Sequence, residues 1–198
     1  MKNIAILVLA AGKSTRMKTP KQLVKIGNNF LLETVLSKAK AINKNHVYCV
    51  LGANATTIRR EISSSNIHFI YNNNFDTGLS ASIVSGINAI HLKPNKYDGV
   101  LILLGDMPAV EKEYLKDMIH LFSKDKSKII ASKYKNKIGV PAIFPNHYFL
   151  QLKSLQGDFG AKEILNKNIN VFVMPKQTNF IDIDTEKDLQ NFKNSILN

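Results

Sequence analysis

Two unbroken apolar runs constrain this chain more than anything else in it. Residues Ile4–Leu9 and Val100–Leu104 carry no polar side chain at any position. Such runs cannot turn one face to water, which is the pattern of strands covered on both sides in a mainly parallel sheet. The stretches 47–51, 67–71, 129–132, 171–174 and 180–184 read as further strands, and 138–145 as an extended segment interrupted by Pro141. Helical periodicity falls between them, over 30–42, 79–90, 111–122 and 185–196, with shorter helices over 54–62 and within 157–165. Leu31, Val35, Leu36, Ala39 and Ile42 make one such stripe. Alternating β and α elements imply an α/β fold, a three-layer α/β/α sandwich, as one domain over 1–198. The segment around Val140 breaks the alternation and suits an antiparallel addition to the sheet.

Ligands on such sheets bind beyond the carboxyl ends of the strands, where Gly12, Asn54, Gly78 and Asp106 fall. The first of these ends is the most telling. Leu9, Ala10, Ala11 and Gly12 are followed by Lys13, Ser14, Thr15, Arg16, Lys18 and Lys21, with Pro20 breaking the run. Small residues let backbone N–H groups approach anionic oxygens, and fixed cations neutralise them, so the loop suits a polyphosphate. A solvated strand-to-helix turn in a Lys-rich chain is the alternative. Gly12–Ser14 is not a P-loop, because Leu7 occupies the position of its first glycine. Ser14 and Met17 likewise exclude the dinucleotide fingerprint.

Asp106 emerges from the second apolar run into a turn limited by Pro108. A carboxylate there, close to a triphosphate loop, can hold Mg2+ through oxygen ligands and waters. Its alternative role is to cap the helix near Glu111, for which it lies too early. Asp182 and Asp184 alternate outward in the stretch 180–184, where Asp184 or Thr185 could also cap the last helix. Gly78, Ser80, Ala81 and Ser82 open another helix with small residues, suited either to a base or ribose or to close helix packing.

The segment LAAGKSTRMKTPKQL at 9–23 resembles the signature of the MobA-like nucleotidyltransferases, within them most closely the molybdenum cofactor cytidylyltransferase branch. Leu9, Ala10, Ala11, Gly12, Ser14, Arg16, Met17, Lys21 and Leu23 match, and Lys18 stands where glycine is usual. The resemblance extends over essentially the whole chain and implies the Rossmann-like sheet of the nucleotide-diphospho-sugar transferase type. It implies that Leu9–Ser14, including Lys13, hold the nucleotide's phosphates, with Arg16, Lys21 and Asp106 catalytic. Asp106 and Asp184 would bind the metal, since LLGDMP and the stretch around Asp184–Leu189 match the family's metal-binding segments. Asn74, Gly78 and Ser82 match its base-recognition loop. Gly139, Pro141 and Phe144, and the segment with Gly157, Asp158, Gly160 and Ala161, look like acceptor-lining segments, so Gly139, Pro141 and Asp158 are candidate acceptor contacts. Asp158 could instead cap its own helix. The implied reaction transfers CMP from CTP to molybdopterin with Mg2+ and releases pyrophosphate, with possible delivery of the product to a molybdoenzyme or its chaperone. GTP or a sugar phosphate are the enzymatic alternatives, and an inactive nucleotide-binding regulator is the other class.

The net charge of +12 invites a nucleic-acid reading, but the lysines are scattered and only Arg16, Arg59 and Arg60 are arginines. Compositional bias toward Lys and Asn accounts for the charge, and no specific nucleic-acid partner is expected. Cys49 is the only cysteine, so an internal disulfide is excluded, and its apolar surroundings suit a buried, inert thiol. The histidines show neither metal-ligand spacing nor triad logic. No membrane-length apolar stretch occurs, and the apolar N-terminus reads as strand rather than signal peptide, so a soluble cytoplasmic protein is expected.

Overall fold

The computed structural model describes residues 3–62, 64–92, 97–134, 137–167, 169–175 and 178–197, the side chains of 196 and 197 apart. The sheet is built around β1 (Ile4–Ala10), every residue of which is buried. Ile4, Ile6, Val8 and Ala10 enter the core on one side of the sheet, and Ala5, Leu7 and Leu9 on the other. The chain continues through a 3-10 turn at Lys21–Leu23, a small hairpin of β2 (Lys25–Ile26) and β3 (Asn29–Phe30), and α1 (Leu31–Ile42). Next come β4 (Val47–Leu51), α2 (Ala55–Glu61), β5 (Ile67–Tyr71), α3 (Leu79–His91) and β6 (Gly99–Leu104). The remainder is α4 (Lys112–Lys124), β7 (Ile129–Tyr134), β8 (Lys137–Pro145), α5 (Phe149–Lys153), α6 (Lys162–Lys167), β9 (Val171–Val173) and α7 (Glu186–Leu197).

The main sheet has the order β5-β4-β1-β6-β8-β7-β9. Only β8, among the described strands, runs against the others, pairing antiparallel with both β6 and β7. The expected mainly parallel α/β architecture is therefore observed, with the antiparallel strand where the alternation broke. Side chains of α1 and α4, among them Val35, Leu36, Tyr114, Met118 and Phe122, fill the core on one face. Those of α3, α5 and α6, among them Ile83, Ile87, Leu152 and Ile164, fill it on the other. Gly86 lets α3 lie directly on β1, because a Cβ there would stand 2.4 Å from Leu7 Cδ1. Cys49 is fully buried in β4, and burial pushes its thiol pKa up, as expected for an inert side chain.

Two expectations need correction, one helix start is set more narrowly, and two short features are additions. The stretch 180–184 forms no strand: its backbone meets the sheet region through Ile183 N–H donating to Asp106 O at 3.0 Å, while Phe180 lies against the Tyr134 ring. Its apolar residues pack elsewhere: Ile183 is fully buried with Ile26, Leu31, Leu189 and Phe192, so the segment is held by that cluster rather than by a strand partner. Asn54, a residue type suited to capping the helix that runs through Ile62, stands before α2 but makes no side-chain cap; it supplies a left-handed turn residue at φ 56°. The helix expected within 157–165 starts at Lys162, after Gly157 and Gly160 at positive φ. The β2–β3 hairpin and α5 were not anticipated, because two-residue strands and a five-residue helix are too short to display a period.

Candidate active site

Register places the site. β1 pairs with β4 from Ile6–Val47 to Ala10–Leu51 and with β6 from Ile4–Gly99 to Leu9–Leu104, so the carboxyl ends of the three central strands coincide. The loop leaving β1 is held from below by its carbonyls. Leu9 O accepts from Gly105 N–H at 2.8 Å and Ala11 O from Ala53 N–H at 3.1 Å. Ala10 O and Gly12 O both accept from Gln22 Nε2, at 2.9 and 3.1 Å. Ser14, at φ 57°, donates its hydroxyl to Gln22 Oε1 at 3.3 Å and accepts from Lys21 N–H at 3.0 Å. Among the described residues, the N–H groups of Gly12–Arg16 have no hydrogen-bond acceptor. Lys18, the departure from the family signature, is exposed on the outside of the turn.

The 3-10 turn carries Lys21 into the cleft, where its ammonium lies between two carboxylates. Nζ donates to Asp106 Oδ2 at 2.5 Å and to Asp184 Oδ1 at 2.8 Å. Arg16 Nη2 reaches the other oxygen, Asp184 Oδ2, at 2.7 Å. Burial alone would lower the Lys21 pKa, but Asp106 and then Asp184 outweigh it, and the net shift is upward. Hydrogen bonding from Lys21, with the nearby Arg16 charge, holds the Asp184 carboxyl below its ordinary value. Asp184 does not cap α7. Thr185 and Asp188 do so reciprocally: Asp188 N–H donates to Thr185 Oγ1 at 3.2 Å, and Asp188 Oδ2 accepts from Thr185 N–H at 2.9 Å. The Asp184 side chain is thereby left to Lys21 and Arg16, beside the cleft. Asp182 stands outside this pair; its pKa is pushed up to about 6 by partial burial of the carboxyl first and then by Asp106 and Asp184.

Asp106 Oδ1 is buried without a hydrogen-bond partner among the described residues. An unmet carboxylate oxygen beside a second carboxylate, both already gathered around one positive charge, fits a divalent cation of the Mg2+ kind. Asp106 and Asp184 would hold it, with remaining ligands from phosphates and water. No group of three or more His, Cys, Asp or Glu gathers in this way among the described residues.

The facing wall comes from the N-terminus of α3. Gly78 has φ 106°, and a Cβ on it would lie 2.7 Å from Gly157 O, so the loops at 78 and 157 touch through backbone. Asp158 caps α3 rather than its own helix, accepting from Leu79 N–H at 3.1 Å. Ser80, fully buried, donates to Gln156 O at 3.0 Å and accepts from Gly160 N–H at 3.2 Å. Ser80→Ala is expected to cost about 1–3 kcal/mol, since the buried Gly160 N–H and the Gln156 carbonyl both lose their partner; urea unfolding checks this. Lys13 spans the cleft mouth to Asp76 at 2.7 Å.

The resulting cleft, about 280 Å3, is lined by Leu9, Ala10, Ala11, Gly12, Lys21, Asp106, Gly78, Ser82 and Asp158 from the expected set. Gln22, Phe75, Leu79, Leu104 and Gly105 also line it. Gln22 was missed although it stands between two signature residues. Ser82 borders the cleft, with its hydroxyl accepting from Asn72 Nδ2 at 3.1 Å. Asn74 instead lines a neighbouring groove with Thr77 and Gln156. Gly139 and Pro141 are buried in β8, outside the cleft lining: Gly139 pairs with Ser132, and Pro141 O accepts from Ser132 Oγ at 2.7 Å. Phe144 is core. A larger cavity, about 740 Å3, lies at the amino ends of β1 and β4 and contains none of the motif residues. No helix among the described residues is long and apolar enough to cross a membrane.

A family profile described as MobA-like NTP transferase domain matches residues 6–171. The bifunctional protein GlmU of Ruthia magnifica subsp. Calyptogena magnifica is 30% identical over 174 residues, which cover 86% of this chain and 36% of that protein. The chain thus spans about a third of the length of such curated relatives. Among solved structures, the Rv0371c homolog from Mycobacterium sp. strain JC1 superposes with TM-score 0.84 at 24% identity, covering 100% of this chain and 98% of the other. The manganese complex of Rv0371c from Mycobacterium tuberculosis H37Rv gives TM-score 0.79 at 23% identity, covering 97% and 98%.

Proposed function

The chain belongs to the MobA-like NTP transferase family, and we propose that it transfers a nucleoside monophosphate from a nucleoside triphosphate to a phosphate-bearing acceptor. The observation that carries this reading is the Lys21 ammonium held between Asp106 and Asp184, next to a loop whose amides lack acceptors. An acceptor phosphate oxygen forms a bond to the α-phosphorus as the bond from that phosphorus to the bridging oxygen breaks, and pyrophosphate leaves with the electron pair. Both partners are anions, so the protein must position them and neutralise charge. The Ala11–Arg16 loop would take the β- and γ-phosphates, and Lys21 would turn from the carboxylates to the α-phosphate. Mg2+ held by Asp106 and Asp184 would supply charge stabilisation at the phosphoryl oxygens; the manganese found in the mycobacterial relative supports a divalent ion. An inactive binder has no need of two carboxylates around the lysine.

For the finer assignment we favour CTP and a molybdopterin-type acceptor, whose product would pass to a molybdoenzyme or its chaperone. The support is the resemblance of the 9–23 and 155–165 segments, together with Ala11, a nearly buried cleft-wall residue where guanylyl-transferring relatives carry glycine. The Ala11 methyl narrows that wall, and a pyrimidine needs less room than a purine. CTP is expected to exceed GTP in kcat/KM by about 10- to 100-fold, the range of a modest steric misfit. Pyrophosphate release across the four nucleotides, with molybdopterin or a sugar phosphate as acceptor, tests both choices. Equal kcat/KM for CTP and GTP sinks the cytidylyl assignment; no turnover with any of them sinks the transferase reading.

A further inference from the structure

We infer that Gln22 is a positioning residue that sets the phosphate loop against the catalytic lysine, an inference resting on the nucleotidyl-transfer reading. Gln22 is 2% exposed, and its single amide group meets three separate points of the Ala10–Ser14 loop: Ala10 O, Gly12 O and Ser14 Oγ. Its orientation is fixed by those partners, since a flipped amide would set its oxygen against two carbonyl oxygens. With both N–H groups and the oxygen engaged, the amide behaves as a three-point clamp. Ser14 extends the clamp forward, its hydroxyl accepting from Lys21 N–H, so the loop is tied directly to the backbone of the lysine. The loop carbonyls at 9–12 are thereby all turned to the protein, and the free amides of Gly12–Arg16 are left for an anion.

An apolar side chain of the same length would fill the same space while releasing the loop. That separates positioning from packing. Calorimetric titration of the full chain with inorganic tripolyphosphate, which has no base, and with CTP, each with Mg2+, measures the effect directly. Gln22→Met is expected to lower affinity for both ligands by a common factor of about tenfold or more, the scale of a misplaced binding group. Gln22→Glu should lower it further, because a carboxylate would face Ala10 O and Gly12 O. A merely structural glutamine would lower the thermal midpoint and leave the affinity of the folded protein unchanged, which would overturn the inference. If both variants fail to fold, Ser14→Ala, in the half-exposed loop, carries the test; unchanged affinity overturns the clamp, and a drop of about threefold supports it. Wild-type protein that binds neither ligand would remove the nucleotidyl-transfer reading itself, whereas normal wild-type binding with an unaffected Gln22→Met removes only the role of Gln22.

Discussion

Replacing Asp106 by asparagine should abolish turnover, by about 10³-fold or more, and leave the protein folded. The substitution keeps the shape of the side chain and removes one of the two negative charges that would hold a divalent cation. It also turns an amide, with a donor end, toward the Lys21 ammonium, which lies 2.5 Å from Oδ2. The fold is spared because Asp106 sits at a strand end rather than in the apolar core, and Asp184 still engages Lys21 at 2.8 Å. A stability loss of about 1–2 kcal/mol is expected, between the values of exposed and buried ion pairs. That is well inside the stability of an ordinary domain. Pyrophosphate release with Mg2+, beside urea unfolding of both proteins, measures the two quantities. Near-normal turnover would remove Asp106 from the metal site.

That aspartate is legible in the amino-acid sequence, because an unbroken apolar strand ending in Gly-Asp says both where the residue lies and that it leaves the core. β1 is legible for the same reason, and with β1 and β6 placed, the site has to lie at their shared carboxyl edge. Contacts between segments far apart in the chain are not legible. Nothing near Asp158 reveals that its carboxylate caps a helix beginning at Leu79, because capping depends on where another loop is folded. By sequence Asp184 is equally suited to capping and to the cleft; the fold decides it, with Thr185 and Asp188 capping α7 between themselves. Gln22 is polar and would ordinarily be counted as surface; only the converging carbonyls of Ala10 and Gly12 account for its burial. The stretch 180–184 fails as a strand through the same blindness, since alternation is visible in a sequence and the absence of a pairing edge is not.

Lys21→Met gives the second large effect, and its sign differs between activity and metal response. Among the described residues the ammonium is the one cation in contact with both carboxylates, and methionine fills its volume without charge. Turnover is expected to fall by about 10²- to 10³-fold, the scale of losing one preorganised charge from a phosphoryl-transfer site. Asp106 and Asp184 are left facing one another with Arg16 bound only to the outer oxygen of Asp184. The expected stability loss is about 1–3 kcal/mol, below that of a fully buried pair because Asp184 is a third exposed. In the wild type, Lys21 already holds Asp106 Oδ2 and Asp184 Oδ1, so a divalent cation drawing on those oxygens competes with it, which weakens apparent binding. In the variant that competition is gone, and stabilisation by a ligand grows with its affinity. Thermal unfolding without nucleotide should therefore show a larger upward shift with Mn2+ for Lys21→Met than for wild type, although the variant is the poorer enzyme. Equal shifts in the two proteins would show that Lys21 and the metal do not share these carboxylates, and the arrangement of Lys21, Asp106 and Asp184 would then have to be read as a structural ion pair alone.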